Sequence, residues 1–256
     1  MVKTLRTRPV FYSVIATLVL SIIFAVGMAT FQFAAGVAIV NIAIAALAIF
    51  MLGVINETNG FRHVLRADGF AKGLVVLIPV AAFFIFGAVV NAIGTTYVGF
   101  GDMSTLFSDI FVQITSAFMQ NVLFRGLLVT AVLVKYSQTE KGRVKGVFIA
   151  AAMYLIVYIP MNLMGGSISL MQLINTMVAG VGMCAAYMYS KNLLSLIALQ
   201  AAWMVADVVI GHIAEGGGAE IPLLALIPLL LILVWIVVFA VRFSKRAEVF
   251  EFNRRV

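Results

Sequence analysis

The stretch Phe118 to Leu128, FMQNVLFRGLL, places two adjacent amides and an arginine inside an apolar run long enough to cross a membrane. On a helix, residues four apart share a face, so Asn121 and Arg125 can meet, with Gln120 beside them. Gly126 follows at once and lets another backbone approach closely. A charge at the bilayer centre costs at least ~2.5 kcal/mol, so Arg125 is expected to face the protein interior or reach an interface. Such a polar stripe either joins helices or floors a buried site. Two further pairs have helical spacing. Tyr158 and Asn162 lie one turn apart in YLIVYIPMNLM, with Pro160 between them as an expected kink. Trp203 and Asp207 lie one turn apart in QAAWMVADVV. Apart from Asp109 at a span edge, Asp207 is the acidic residue placed within a span, so an Arg125–Asp207 ion pair is one way to satisfy both charges. Arg125 lies deeper than Asp207, which weighs against the pairing for straight helices.

Few residues in this pattern can exchange a proton near neutral pH. Gln120, Asn121 and Asn162 are amides without an accessible basic form, and the Trp203 indole only donates. His63 and His212 both fall at span ends, where an interfacial position explains them; His212 with Glu215 could form a small acid/base or metal pair at the surface. Ser116 sits one turn before Gln120, with no histidine or lysine at helical spacing to activate it. The polar pairs offer a divalent metal no His or Cys ligand, so neither a metal nor a cofactor is expected.

The elements that must position these residues follow from composition. Hydrophobic residues make up 64% of the 256-residue chain and charged residues 11%, with a mean hydropathy of +1.15. This is far more apolar than one soluble core could hide, and it predicts an all-α, polytopic integral membrane bundle. Apolar runs at about 10–32, 35–55, 70–93, 108–134, 146–163, 168–189, 193–213 and 221–243 predict about eight transmembrane helices in a single domain. The short spacer from Phe31 to Gly36 predicts a tight hairpin. The first run is read as a retained helix rather than a cleaved leader. Cys184 reads as a small residue at a helix contact.

Alternating segments, starting with a cytoplasmic amino terminus, hold 16 of the 17 Lys and Arg residues; Arg125 alone lies within a span. By the positive-inside rule, both termini are expected to be cytoplasmic, in a cell membrane. The net charge of +7 is then explained by contact with anionic lipid head groups, and no nucleic-acid partner is expected. No Gly-rich phosphate loop between a strand and a helix appears, which argues against ATP-driven chemistry within the chain.

The three polar pairs together resemble the CAAX-protease and bacteriocin-processing family of intramembrane endopeptidases, also called the Abi family. That family carries Glu-Glu-x-x-x-Arg, usually followed by Gly, then Phe-x-x-x-His, then His-x-x-x-Asn or Asp, on successive core helices. QNVLFRG from Gln120 to Gly126 resembles the first motif, YIPMN from Tyr158 to Asn162 the second and WMVAD from Trp203 to Asp207 the third. NLLSLIALQAA, with Ser195 eight residues ahead of Trp203, is similar to the lead into the third motif. The likeness spans about residues 70–215, flanked by two amino-terminal helices (10–55) and one carboxyl-terminal helix (221–243).

The resemblance implies that Gln120, Asn121, Asn162 and Trp203 stand where the family has Glu and His, so no catalytic residue is expected there. Arg125, Tyr158 and Asp207 are expected to bind or support. The implied function is that of a bacterial membrane pseudoprotease that binds a hydrophobic or prenylated peptide, a bacteriocin or a partner membrane protein. The alternatives are a divergent active peptidase relying on Asp207, and a transporter or permease subunit, for which Pro160 and the MGGS turn at Met164 to Ser167 are the only broken-helix signals.

Overall fold

The computed structural model describes residues 9–31, 33–56, 66–92, 96–97, 99, 102–163, 170–215 and 223–249. Its elements are α1 (Pro9–Thr30), α2 (Ala34–Asn56), α3 (Phe70–Ala92), β1 (Thr96–Tyr97), α4 (Met103–Gln120), a π-helix (Asn121–Val129), α5 (Thr130–Tyr136), α6 (Glu140–Leu163), α7 (Leu170–Ser190), α8 (Leu194–Ile213), β2 (Ala214–Glu215) and α9 (Leu223–Arg246). The fold is the expected helix bundle, with one addition. The two-residue strands β1 and β2 pair antiparallel and tie the end of α8 to the connection before α4.

Seven of the described helical segments are long and apolar enough to cross a membrane. Helices satisfy their backbone polar groups within the segment, as a bilayer requires, and the apolar runs supply side chains compatible with lipid. The remaining predicted span, the fifth (146–163), falls in α6, whose side chains are described only as far as Leu155. The predicted hairpin is present: α1 stops at Thr30, the Phe31 N–H reaches the Gly27 carbonyl at 2.8 Å, and α2 starts at Ala34. Large apolar side chains such as Phe11, Ile22, Phe50, Ile85 and Leu231 are exposed, consistent with lipid-facing surfaces.

The centre of the bundle is the 34-residue rod Met103–Tyr136, made of α4, the π-helix and α5. Asp102 caps it: its carboxylate accepts from Ser104 N at 3.0 Å and from Thr105 Oγ1 at 2.5 Å. These bonds, the Thr105 one foremost, hold the Asp102 carboxyl below the usual carboxylate range. Further along, α4 packs against α2 and α8, and the π-helix leans on α2. Asn41 of α2 clamps the first contact, donating to Thr115 Oγ1 (3.1 Å) and Ser116 Oγ (2.9 Å). The Ser116 hydroxyl thus has a structural partner.

All nine residues of the π-helix are buried. It closes on i→i+5 bonds, with the Thr130 N–H reaching the Arg125 carbonyl, while the Thr130 hydroxyl donates to that same oxygen at 3.3 Å and pairs with the Tyr187 hydroxyl of α7 at 2.8 Å. Single-turn π segments are frequent at functional sites. This one runs on for a second turn and carries Asn121 and Arg125.

The approach to α8 is pinned at the turn that joins it to α7. Asn192 Oδ1 caps the helix by accepting from Ser195 N at 2.8 Å, and Asn192 Nδ2 donates to the carbonyls of Arg66 and Asp68. Gly69, with φ +80°, lies against the Ser190 carbonyl. The α7–α8 turn and the start of α3 are therefore one locked unit, and the register of α8 begins from it.

Candidate functional site

Gln200, the seventh residue of α8, brings the central rod and α8 into one polar cluster. Its Nε2 donates to Gln120 Oε1 at 2.6 Å. Its Oε1 accepts from Asn121 Nδ2 at 3.0 Å and from Arg125 Nη1 at 2.8 Å. Asn121 also donates to the Ala117 carbonyl at 2.8 Å and accepts from Arg125 Nη1 at 2.8 Å. Arg125 Nη2 contacts Met183 Sδ of α7 at 2.8 Å, and the guanidinium lies 5.2 Å from the centre of the Tyr154 ring of α6. Relative exposures of 0% for Asn121, 3% for Arg125 and 7% for Gln200 place these three side chains deep in the protein, while Gln120 is partly exposed.

The cluster forms part of the wall of a cavity of about 410 Å³. Phe84, Phe124, Tyr154, Trp203 and Met204 supply much of the apolar surface, and Thr176 adds a hydroxyl. Trp203 stacks on Phe84 with ring centroids 4.9 Å apart and planes 15° from parallel. Its indole forms a wall beside the polar cluster. The cavity lies within the usual ~300–1,000 Å³ range for small-ligand sites, and its mix of aromatic walls with a few convergent polar groups is typical of them.

The structure thus unites Gln120, Asn121 and Arg125 as the spacing predicts, and brings Trp203 to the same cavity. It does not pair Arg125 with Asp207. Asp207 is exposed on α8, seven residues beyond Gln200 and hence ~10 Å further along the axis, beyond the reach of the guanidinium. Arg125 turns instead to the amides. Tyr158 and Asn162 lie outside the described side chains, as do Pro160, His63, Glu215 and the turn Met164 to Ser167. Among the described side chains of α6, Tyr154, one turn before Tyr158, reaches the cavity.

His212 pairs with Asp109, Nε2 to Oδ2 at 2.9 Å, joining the outer ends of α8 and α4 away from the cavity. Among the described residues no group of three or more His, Cys, Asp or Glu could hold a metal ion. Cys184 is free and buried, packed within the apolar core.

Gln200 is the functional candidate that motif reading misses. Its signal was available as a lone amide in the apolar run LSLIALQAAWMV, where an unsatisfied polar group is costly and a partner must therefore exist.

Residues 102–206 match the family model of the type II CAAX prenyl endopeptidases, Rce1-like. The match runs from the cap of α4 almost to the end of α8 and so contains the central rod, α6, α7 and the whole polar cluster. It stops one residue before Asp207. Neither curated proteins nor solved structures match this chain.

Proposed function

We propose that this multi-pass membrane protein, whose central segment is Rce1-like, is a pseudoprotease: it keeps a peptide-binding cavity and does not hydrolyse what it binds. The observation that carries this reading is the amide cluster. Peptide hydrolysis through activated water needs a group that accepts a proton near neutral pH. Among the described residues lining the cavity there is no Asp, Glu, His, Lys or Cys. Gln120, Asn121 and Gln200 hold the shape and hydrogen bonds of such a centre with groups that have no basic form.

Within this reading the third family motif is carried by Gln200 and Met204 rather than by Trp203 and Asp207. Gln200 and Met204 have the same four-residue spacing, both line the cavity, and both fall inside the matched segment. Gln200 then stands in the histidine position and Trp203 becomes a wall. The ligand class proposed is a hydrophobic or prenylated peptide, or a segment of a partner membrane protein. Termini in the cytoplasm and basic residues against anionic lipid complete the proposal.

The test is cleavage and binding of a panel of prenylated and leader-type peptides by the purified chain in nanodiscs. The native chain is expected to bind without turnover. The variant Gln120→Glu/Asn121→Glu/Asn162→His/Gln200→His is expected to gain measurable cleavage. Turnover by the native chain that vanishes with Asp207→Asn would overturn the reading and assign the chemistry to a rebuilt acid.

A further inference from the structure

Among the described residues, Arg125 is a buried cation with no buried anion beside it. Its described partners are two amide oxygens, a thioether and the Tyr154 ring, all of them neutral. The ion pairs among the described residues, Arg66–Asp68, Lys191–Glu248 and His212–Asp109, lie at helix ends or in the adjoining turns. The chain has ten acidic residues, and the one predicted deep in a span, Asp207, is exposed and too far along α8. Amide dipoles disperse a charge without cancelling it. Removing one partner of a buried ion pair is strongly destabilising, because the remaining charge has lost its counter-charge.

The donors of Arg125 are also unevenly used. Nη1 gives both of its hydrogens to amide oxygens. Nη2 is met by Met183 Sδ, a weak acceptor for a cationic donor. The guanidinium fork matches the two oxygens of a carboxylate, and such charge-assisted bonds are about twice as strong as neutral ones. Arg125 lines the cavity and is the only charged residue among the described ones that does so.

We propose that the cavity takes an apolar ligand headed by a carboxylate, whose oxygens displace the Met183 thioether from Arg125 and supply the missing negative charge. This rests on the binding role proposed above and narrows it: for a peptide, the group held by Arg125 is the free C-terminal carboxylate. Phe84, Phe124 and Trp203 would receive the apolar part. Asn121 and Gln200 hold Arg125 in place and offer no competing charge.

The experiment uses the full chain in nanodiscs of zwitterionic lipid, with binding followed by calorimetry. The probes are an acetylated apolar tripeptide with a free C-terminus, the same tripeptide as its C-terminal amide, dodecanoate and dodecanol. The native chain is expected to prefer each acid over its neutral partner by about tenfold or more, the worth of one charge-assisted bond. Arg125→Met should erase that preference. Gln200→Glu, which gives Arg125 an internal counter-charge, should weaken acid binding by at least about tenfold while raising the melting temperature of the ligand-free protein.

Equal binding of acids and neutral partners by the native chain overturns the inference and leaves the pseudoprotease reading standing. Arg125-dependent binding of dodecanoate with no binding of either tripeptide keeps the inference and overturns the peptide reading. Binding of none of the probes overturns both. Should Arg125→Met fail to fold, Gln200→Glu decides: an unchanged acid preference in that variant overturns the inference.

Discussion

Replacing Asn121 with leucine is expected to destabilise the protein by about 3 kcal/mol, one of the two largest effects anticipated here. The two side chains share the same branched heavy-atom skeleton, so the loss is chiefly of hydrogen bonds rather than of contacts. Asn121 is fully buried, donates to Gln200 and accepts from Arg125. A hydrogen bond to a charged group contributes ~1.5–3 kcal/mol and a neutral one ~1 kcal/mol. Leucine removes the Arg125 bond and the Gln200 bond; the third, to the Ala117 carbonyl, counts for less because that oxygen also accepts from the Asn121 backbone N–H. Gln200 cannot repair the damage, because its Oε1 is already shared and its Nε2 is held by Gln120. Asn121→Asp provides the contrast. It keeps the acceptor facing Arg125 and adds a charge where the cation has none, so its melting temperature in detergent should stay near that of the native chain. Equal melting temperatures for Asn121→Leu and the native protein would show that the cluster does not hold the central rod to α8.

The helices were legible because a bilayer accepts few solutions. A run of about twenty apolar residues has to be a helix there, so the spans appear in hydropathy alone. The meeting of Asn121 and Arg125 was legible too, because spacing along a single helix needs no tertiary knowledge. What the sequence concealed depends on two helices at once. The rotation and height of α8 decide that Gln200, not Asp207, reaches Arg125, and those follow from how α8 is anchored at Asn192 and packed against α4. Pattern matching at four-residue spacing favoured Trp203 and Asp207 because both are conspicuous residue types. At that spacing Gln200 had only the apolar Met204, and the fold supplies its amide partner from 80 residues away in Gln120.

The π-helix was hidden for a different reason. NVLFRGLLV has nothing local that selects i→i+5 over i→i+4 bonds. The wider turn is set by tertiary contacts, among them the Thr130 hydroxyl that bridges the Arg125 carbonyl and Tyr187. Segments of this kind persist only where the surroundings fix them. Here those surroundings also position Arg125.

Gly69→Ala is expected to cost about 3 kcal/mol, whereas Gly99→Ala should cost about 1 kcal/mol. Both glycines have positive φ, +80° and +89°, where an L-residue loses ~1–2 kcal/mol to its own backbone. The difference between them is the neighbour. A Cβ on Gly69 would collide with the Ser190 carbonyl oxygen, which cannot rotate aside, whereas a Cβ on Gly99 would meet nothing within 4 Å. Overpacking adds ~1–3 kcal/mol where the surroundings cannot move. Thermal unfolding of both variants in one detergent therefore separates backbone strain from contact. The consequence should extend to the site, since Ser190 begins the turn whose Asn192 caps α8 and is bonded to the residues preceding Gly69. If the turn yields, α8 shifts and Gln200 leaves the amide cluster, so the folded fraction of Gly69→Ala should also bind peptide more weakly than Gly99→Ala does. Matching losses of stability in the two variants would mean that the Ser190 contact does not constrain α8, and that the height of Gln200 is set by its packing on α4.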